Sequence, residues 1–122
     1  MYRKFLRAKL HGVTVTDTNL NYAGSITIDR ALMEAAGLEP FEMVKVVNLR
    51  TGDRFETYVI EGEKDSGYIG LNGGAARKGR EDDQLIIFSS AWVKKGRKIK
   101  VKVVIVDPSN RVREIRKSAA KS

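Results

Sequence analysis

Two apolar-alternating runs, Phe41 to Leu49 and Arg54 to Ile60, are separated only by Arg50-Thr51-Gly52-Asp53, so the chain must fold back there as a β-hairpin. On the second arm Arg54, Glu56 and Tyr58 share one face while Phe55, Thr57 and Val59 share the other, because side chains alternate along a strand. Similar runs recur at close spacing. They are Phe5 to Thr16 broken at Gly12, Ser25 to Ile28, Tyr68 to Leu71, and the strongly apolar Gln84 to Ala91, which reads as a central strand. Lys98 to Asp107 and Arg111 to Ile115 form a second hairpin around Pro108-Ser109-Asn110. Asp17 to Tyr22 reads as a polar connector. One short helix is predicted, with Asp29 as N-cap, Leu32, Met33, Ala35 and Ala36 as its apolar face, and Gly37 as its stop. Six or so short strands with little helix predict a mainly β fold, a small closed barrel with short helices. Residues 117–122 are expected to form a disordered tail.

At 122 residues the chain suits one domain spanning 1–122 and is too short for two ordinary ones. It has no cysteine, which excludes disulfides, thiolate metal sites and thiol catalysis, and its single histidine, His11, excludes a multi-histidine metal site within one chain. No metal is expected. The charged start, Met1 to Arg7, is followed by no apolar stretch of the kind a secretory signal needs, and no run reaches membrane-span length. A soluble cytoplasmic protein without a membrane partner is the expectation. The net charge of +8 is concentrated after Val93, where eleven Lys or Arg meet two acids. That segment reads either as a surface for nucleic acid or another polyanion, or as a solvated strand and tail. No aromatic residue follows Trp92 to stack on bases, so nucleic acid is not an expected partner.

Four stretches carry residues able to do chemistry. The only Gly-Ser step is Gly24-Ser25, where a serine hydroxyl can approach a preceding carbonyl that no side chain shields; an ordinary turn is the plain alternative. Lys9 and His11 are two apart on a strand and share a face, as do Arg54 and Tyr58. Arg54 offers a planar fork for a carboxylate, and Tyr58 can exchange a proton with a bound molecule. Exposed lysines and cross-strand Arg/Tyr pairs are also common on solvated strands. Asn72-Gly73-Gly74-Ala75-Ala76 is a small-residue loop whose N–H groups can approach an anionic ligand, and it lacks the Gly-Lys-Ser/Thr of a phosphate-binding loop.

Taken together and in order, Lys9-Leu10-His11, Tyr22-Ala23-Gly24-Ser25, Asn48 to Tyr58 and Asn72 to Ala76 closely resemble the bacterial aspartate 1-decarboxylases, a pyruvoyl-dependent family. The resemblance runs from about Met1 to Ser90 and more loosely beyond. It implies a six-stranded double-psi β-barrel and a proenzyme that cuts itself between Gly24 and Ser25 into residues 1–24 (β chain) and 25–122 (α chain). By that similarity Ser25 Oγ attacks the Gly24 carbonyl to give an ester, elimination leaves a dehydroalanine, and hydrolysis leaves a pyruvoyl group at the new N-terminus. The pyruvoyl ketone then forms a Schiff base with the substrate amine and accepts the electrons left by departing CO2, without pyridoxal phosphate.

The resemblance further implies L-aspartate as substrate, with β-alanine for pantothenate and coenzyme A synthesis as product. It assigns Tyr58 as proton donor and Thr57 to the oxyanion of the processing step. Lys9, Arg54, Thr57 and the Gly73-Gly74-Ala75 backbone become the substrate-binding set, with His11, Tyr22 and Asn72 as secondary residues. A homotetramer with sites between subunits is implied as well, and, as in some bacteria, a maturation factor. Ala23, Val47 and Gly74 depart from the family, which usually has an acid, often an aromatic and commonly alanine there. These departures bear on cleavage efficiency and substrate preference. The alternative is a non-catalytic basic β-barrel module that binds nucleic acid or another polyanion.

Overall fold

The computed structural model describes residues 1–121. In chain order the elements are β1 (Tyr2–Thr14), β2 (Asp17–Asn19), β3 (Ser25–Asp29), α1 (Arg30–Ala36), β4 (Met43–Asn48), β5 (Arg54–Gly62) and β6 (Ile69–Asn72). A 3-10 turn (Gly73–Arg77), β7 (Gln84–Lys94), β8 (Lys98–Val106) and β9 (Val112–Lys121) complete the chain. The mainly β expectation holds, but the strand count and the closure are corrected. Nine strands form one hydrogen-bonded sheet in the order β2-β6-β3-β5-β4-β7-β1-β8-β9, open at β2 and β9, not a closed barrel of six.

Two of the extra strands come from stretches without legible alternation. Within the expected connector, Asp17–Asn19 pairs in parallel with Gly70–Asn72. The tail expected to be disordered is a strand through Lys121, which pairs with Lys98, and only residue 122 of that stretch lies outside the described residues. Backbone pairing does not depend on side-chain polarity, so a charged, fully exposed strand forms once β8 offers it an edge.

The expected hairpin of β4 and β5 forms, with Val47 opposite Arg54 and Met43 opposite Tyr58; its first arm ends at Asn48 and not at Leu49, so the connection is one residue longer than Arg50 to Asp53. β7 lies between β4 and β1, and its Leu85, Ile87 and Ser89 turn inward. β1 shifts register after His11, where Gly12 takes φ +87°. Such a left-handed backbone suits glycine and lets the strand bend between its two partners. The core is built on Leu10, Ile26, Ile28, Leu71, Leu85 and Ile87, all fully buried.

The helix begins as predicted, with Asp29 accepting from Ala31 N–H at 2.8 Å, and ends at Gly37 with φ 75°. Asp29 does more than cap. Fully buried, it also accepts from Asp65 N–H at 2.9 Å and Gly67 N–H at 2.8 Å, with the Arg111 guanidinium 4.0 Å away. Nearby, Asn110 in the β8–β9 turn donates to Thr14 O and Gly67 O, each at 2.8 Å, and accepts from Thr14 N–H at 2.7 Å. These bonds tie the second hairpin to β1 and to the loop that leads into β6.

Candidate active site

β3 is flanked on both sides, in parallel by β5 and antiparallel by β6, and its first residue, Ser25, is therefore fully buried. A buried hydroxyl must be hydrogen-bonded. Asn72, opposite Ser25 in the β3/β6 ladder, donates through Nδ2 to Ser25 Oγ at 2.9 Å and to Thr27 Oγ1 at 2.9 Å. Ser25 Oγ–H points back along its own chain to Ala23 O at 3.4 Å. A hydroxyl that receives an N–H in this way is oriented, and negative charge developing on its oxygen is stabilised. Thr27 is a member of this cluster that sequence reasoning missed. Its signal was its place two residues after Ser25 on the same strand face.

The glycine requirement falls on the loop and not on the Gly-Ser step. A Cβ on Gly24 would meet nothing within 4 Å beyond its chain neighbours, whereas one on Gly73 would lie 2.7 Å from Gly24 N and Tyr22 O and 2.8 Å from Gly24 Cα. Gly73 also has φ +60°. The backbone before Ser25 is thus pressed directly on the backbone after Asn72, with no side chain between them. Tyr22 contributes its carbonyl here while its side chain is exposed; Ala75 is buried and Gly74 has open space around it.

The remaining predicted residues lie on β5 and β1. The β3/β5 ladder opens at Ile26 opposite Val59, so Thr57 and Tyr58 are the two β5 residues just ahead of the paired stretch, as Ser25 is on β3. Tyr58 stacks on Phe41 with ring centroids 6.1 Å apart and an interplanar angle of 26°. Thr57 is on the opposite face of β5.

Across β1, β7, β4 and β5 the registers align His11, Ile86, Val47 and Arg54 in one row, and Lys9, Phe88, Lys45 and Glu56 in another on the same face. Lys9, His11, Arg54 and Tyr58 therefore share the outer face of one four-stranded layer. Val47 and Arg54, directly paired, line a hollow of about 230 Å³ with Phe88 and Glu56. Neither Arg54 nor Lys9 has an ion pair among the described residues. Lys9 and Ser25 lie on strands that do not pair with each other, since three strands separate β1 from β3 in the sheet order.

The loop that follows Asn72 is held by a buried carboxylate. Asp83 accepts from Asn48 Nδ2 at 2.8 Å, Arg80 N–H at 3.0 Å and Arg50 Nη2 at 3.0 Å, and Asn48 also donates to Lys78 O at 3.0 Å. The Arg50 guanidinium holds the Asp83 carboxyl well below the usual carboxylate range, against the opposing effect of burial. A depressed carboxylate adds stability that is present above the unfolded value of about 4 and is lost as pH falls below it. Asp83→Asn should therefore flatten the loss of urea resistance between about pH 4 and 2. An acid limb as steep as the parent's would remove Asp83 from this role.

No helix of the described residues is long and apolar enough to cross a membrane, and no cluster of three His, Cys, Asp or Glu among them suits a metal. A family model described as aspartate decarboxylase matches residues 1–113. A protein of Pelotomaculum thermopropionicum named aspartate 1-decarboxylase is 50% identical, over 98% of this chain and 92% of that one. A Bordetella avium protein of the same name is 47% identical over 98% of this chain and all of its own length, and one from Anoxybacillus flavithermus is 45% identical over 94% and 92%.

Proposed function

We infer, for a chain that belongs to the aspartate decarboxylase family, that it is a carboxy-lyase releasing CO2 from L-aspartate to form β-alanine, for pantothenate synthesis. The relatives' shared name does not favour the reading as a non-catalytic basic module. The observation that carries the inference at the site is the buried Ser25, bonded by Asn72, with the Gly24 backbone before it packed on Gly73.

The chain is proposed to cut itself between Gly24 and Ser25, residues 1–24 staying with 25–122 in one domain. Ser25 fits a pyruvoyl precursor because its hydroxyl is fixed by Asn72 immediately after Gly24, and Thr57, two residues before Val59 at the start of the β3/β5 ladder, is the residue proposed to stabilise the oxyanion. Once formed, the pyruvoyl group supplies an electron sink for the decarboxylation. The side chains do the rest. Arg54, free of an ion pair, holds the side-chain carboxylate with its fork, because a cation clamped on the departing carboxylate would stabilise the ground state. Tyr58, one step from the ladder mouth, returns a proton to the carbon that loses CO2. The Gly73-Gly74-Ala75 backbone closes the pocket beside Ser25, with Asn72 and Tyr22 behind it.

Lys9 and His11 lie on a strand that is not a neighbour of the one that carries Ser25. This supports a homotetramer in which a neighbouring copy completes each site. The exposed Phe41 and Met43 beside Tyr58 offer apolar surface for that contact.

The test is the mass of the purified protein under denaturing conditions beside a Ser25→Ala control. Two fragments meeting at Gly24/Ser25, the larger modified by hydroxylamine, are expected, with one full-length chain for Ser25→Ala. A single unmodified chain from the parent, persisting through warm incubation with extract that could supply a maturation factor, would overturn the proposal. Arg54→Ala should cleave normally yet lose about 10²- to 10³-fold in kcat/KM for aspartate. Finding Arg54→Ala uncut would break the division between processing and substrate binding.

A further inference from the structure

The cations after Val93 are not spread evenly over a solvated tail. Lys98, Lys100 and Lys102 alternate along β8 and share a face, and the β8/β9 register sets Lys121 opposite Lys98 and Lys117 opposite Lys102. Like charges directly opposite each other weaken a strand pair. None of these five lysines has an ion pair among the described residues, so no acid among those residues offsets the repulsion.

Part of this face is concave. A groove of about 660 Å³ runs between the C-terminal end of α1 and the β8–β9 hairpin, with Lys100, Lys102 and Lys117 on its hairpin side and Arg7 on the other. Arg7 is pinned by Gly37 O at 2.9 Å and by Glu42, whose carboxylate balances its charge. The three lysines therefore set the groove's charge. Ala36, Val101 and Ala119 supply apolar wall between them, and no acid lines it.

We propose that this groove binds a small molecule carrying two or more phosphate groups. The volume falls in the range of small-molecule sites. Three ammonium groups on adjacent strands match a chain of phosphates, each acting as a compact point charge. The apolar wall and the aliphatic lysine stems accept the organic part of such a molecule. The absence of any aromatic lining residue speaks against stacked bases and so against a single-stranded nucleic acid as the occupant. Binding would relieve the Lys102/Lys117 opposition and hold the exposed end of β9 against β8.

The test is calorimetric titration of the parent protein with ATP and with inorganic tripolyphosphate near physiological salt. Both should bind, ATP more tightly because of the wall, and Lys102→Gln with Lys117→Gln should weaken both by roughly tenfold or more. The pair Lys98→Gln with Lys121→Gln changes the net charge equally but lies outside the groove, and should leave the affinity within about twofold once salt screens distant charge. Equal weakening by the two pairs would reduce the effect to diffuse charge and overturn the site. Absence of binding would do the same, as would a short oligonucleotide competing far better than ATP. Thermal midpoints of both variants, matched to the parent, exclude loss of the hairpin as the cause.

Discussion

Gly73→Ala should leave most of the protein as an uncut 122-residue chain, with cleavage slowed by about 100-fold or more. Two costs combine at this position. An L side chain at φ +60° is strained by about 1–2 kcal/mol, and the new methyl would lie 2.7 Å from Gly24 N and Tyr22 O. Both of those atoms are backbone, so no side-chain rotation relieves the contact. The segment before Ser25 must move, and with it the carbonyl that Ser25 Oγ has to reach. Gly74→Ala is the internal control, because a Cβ there meets nothing within 4 Å, and it should cleave at the parent's rate. The ratio of uncut to cut chain over time, by denaturing mass spectrometry, reads the effect. A Gly73→Ala protein that matures as fast as the parent would show that the clamp plays no part in cleavage.

Asp29→Ala is expected to cost about 3–5 kcal/mol, against a total stability of about 5–15 kcal/mol for a typical domain. The carboxylate is fully buried, and its loss leaves the Ala31, Asp65 and Gly67 N–H groups without their acceptor. It also removes the charge facing Arg111, and with it the link between the helix start, the loop before β6 and the second hairpin. Asp29→Asn keeps one acceptor oxygen and should fall between the two. Urea midpoints for the three proteins decide the matter; an alanine variant as resistant as the parent would mean that water replaces all three bonds at no cost.

Much of this was legible in residues 41–60, where alternation and turn chemistry give a hairpin that the structure forms, though its pairing starts at Val47 and not at Leu49. The helix was equally plain, because Asp29 and Gly37 are local signals at its two ends. β2 was hidden because three residues are too few to show a period, and β9 because its cations read as solvated whether or not its backbone is paired. At the site, the Gly-Ser step pointed to Ser25, but the glycine that sterics require is Gly73, whose neighbours in space lie about fifty residues earlier in the chain. Thr27 was passed over because a threonine in a strand ordinarily reflects β preference alone. The separation of Lys9 from Ser25 depends on sheet order, which no local pattern encodes.

β1 lies between β7 and β8, pairing with β7 along its length and with β8 from Ala8 to His11, so residues 1–24 contribute an interior strand rather than a fringe. With the bond after Gly24 broken as proposed, that strand and the remainder would be separate molecules held by contacts alone. Unfolding then becomes a dissociation, and recovery depends on a bimolecular encounter, without the millimolar effective concentration that a covalent tether supplies. The uncut chain is therefore the species suited to reach the native state, and maturation fixes the order of events as folding first and scission afterwards. Mature protein diluted out of denaturant should regain its structure with a yield that rises with concentration, while Ser25→Ala should refold at a rate independent of it.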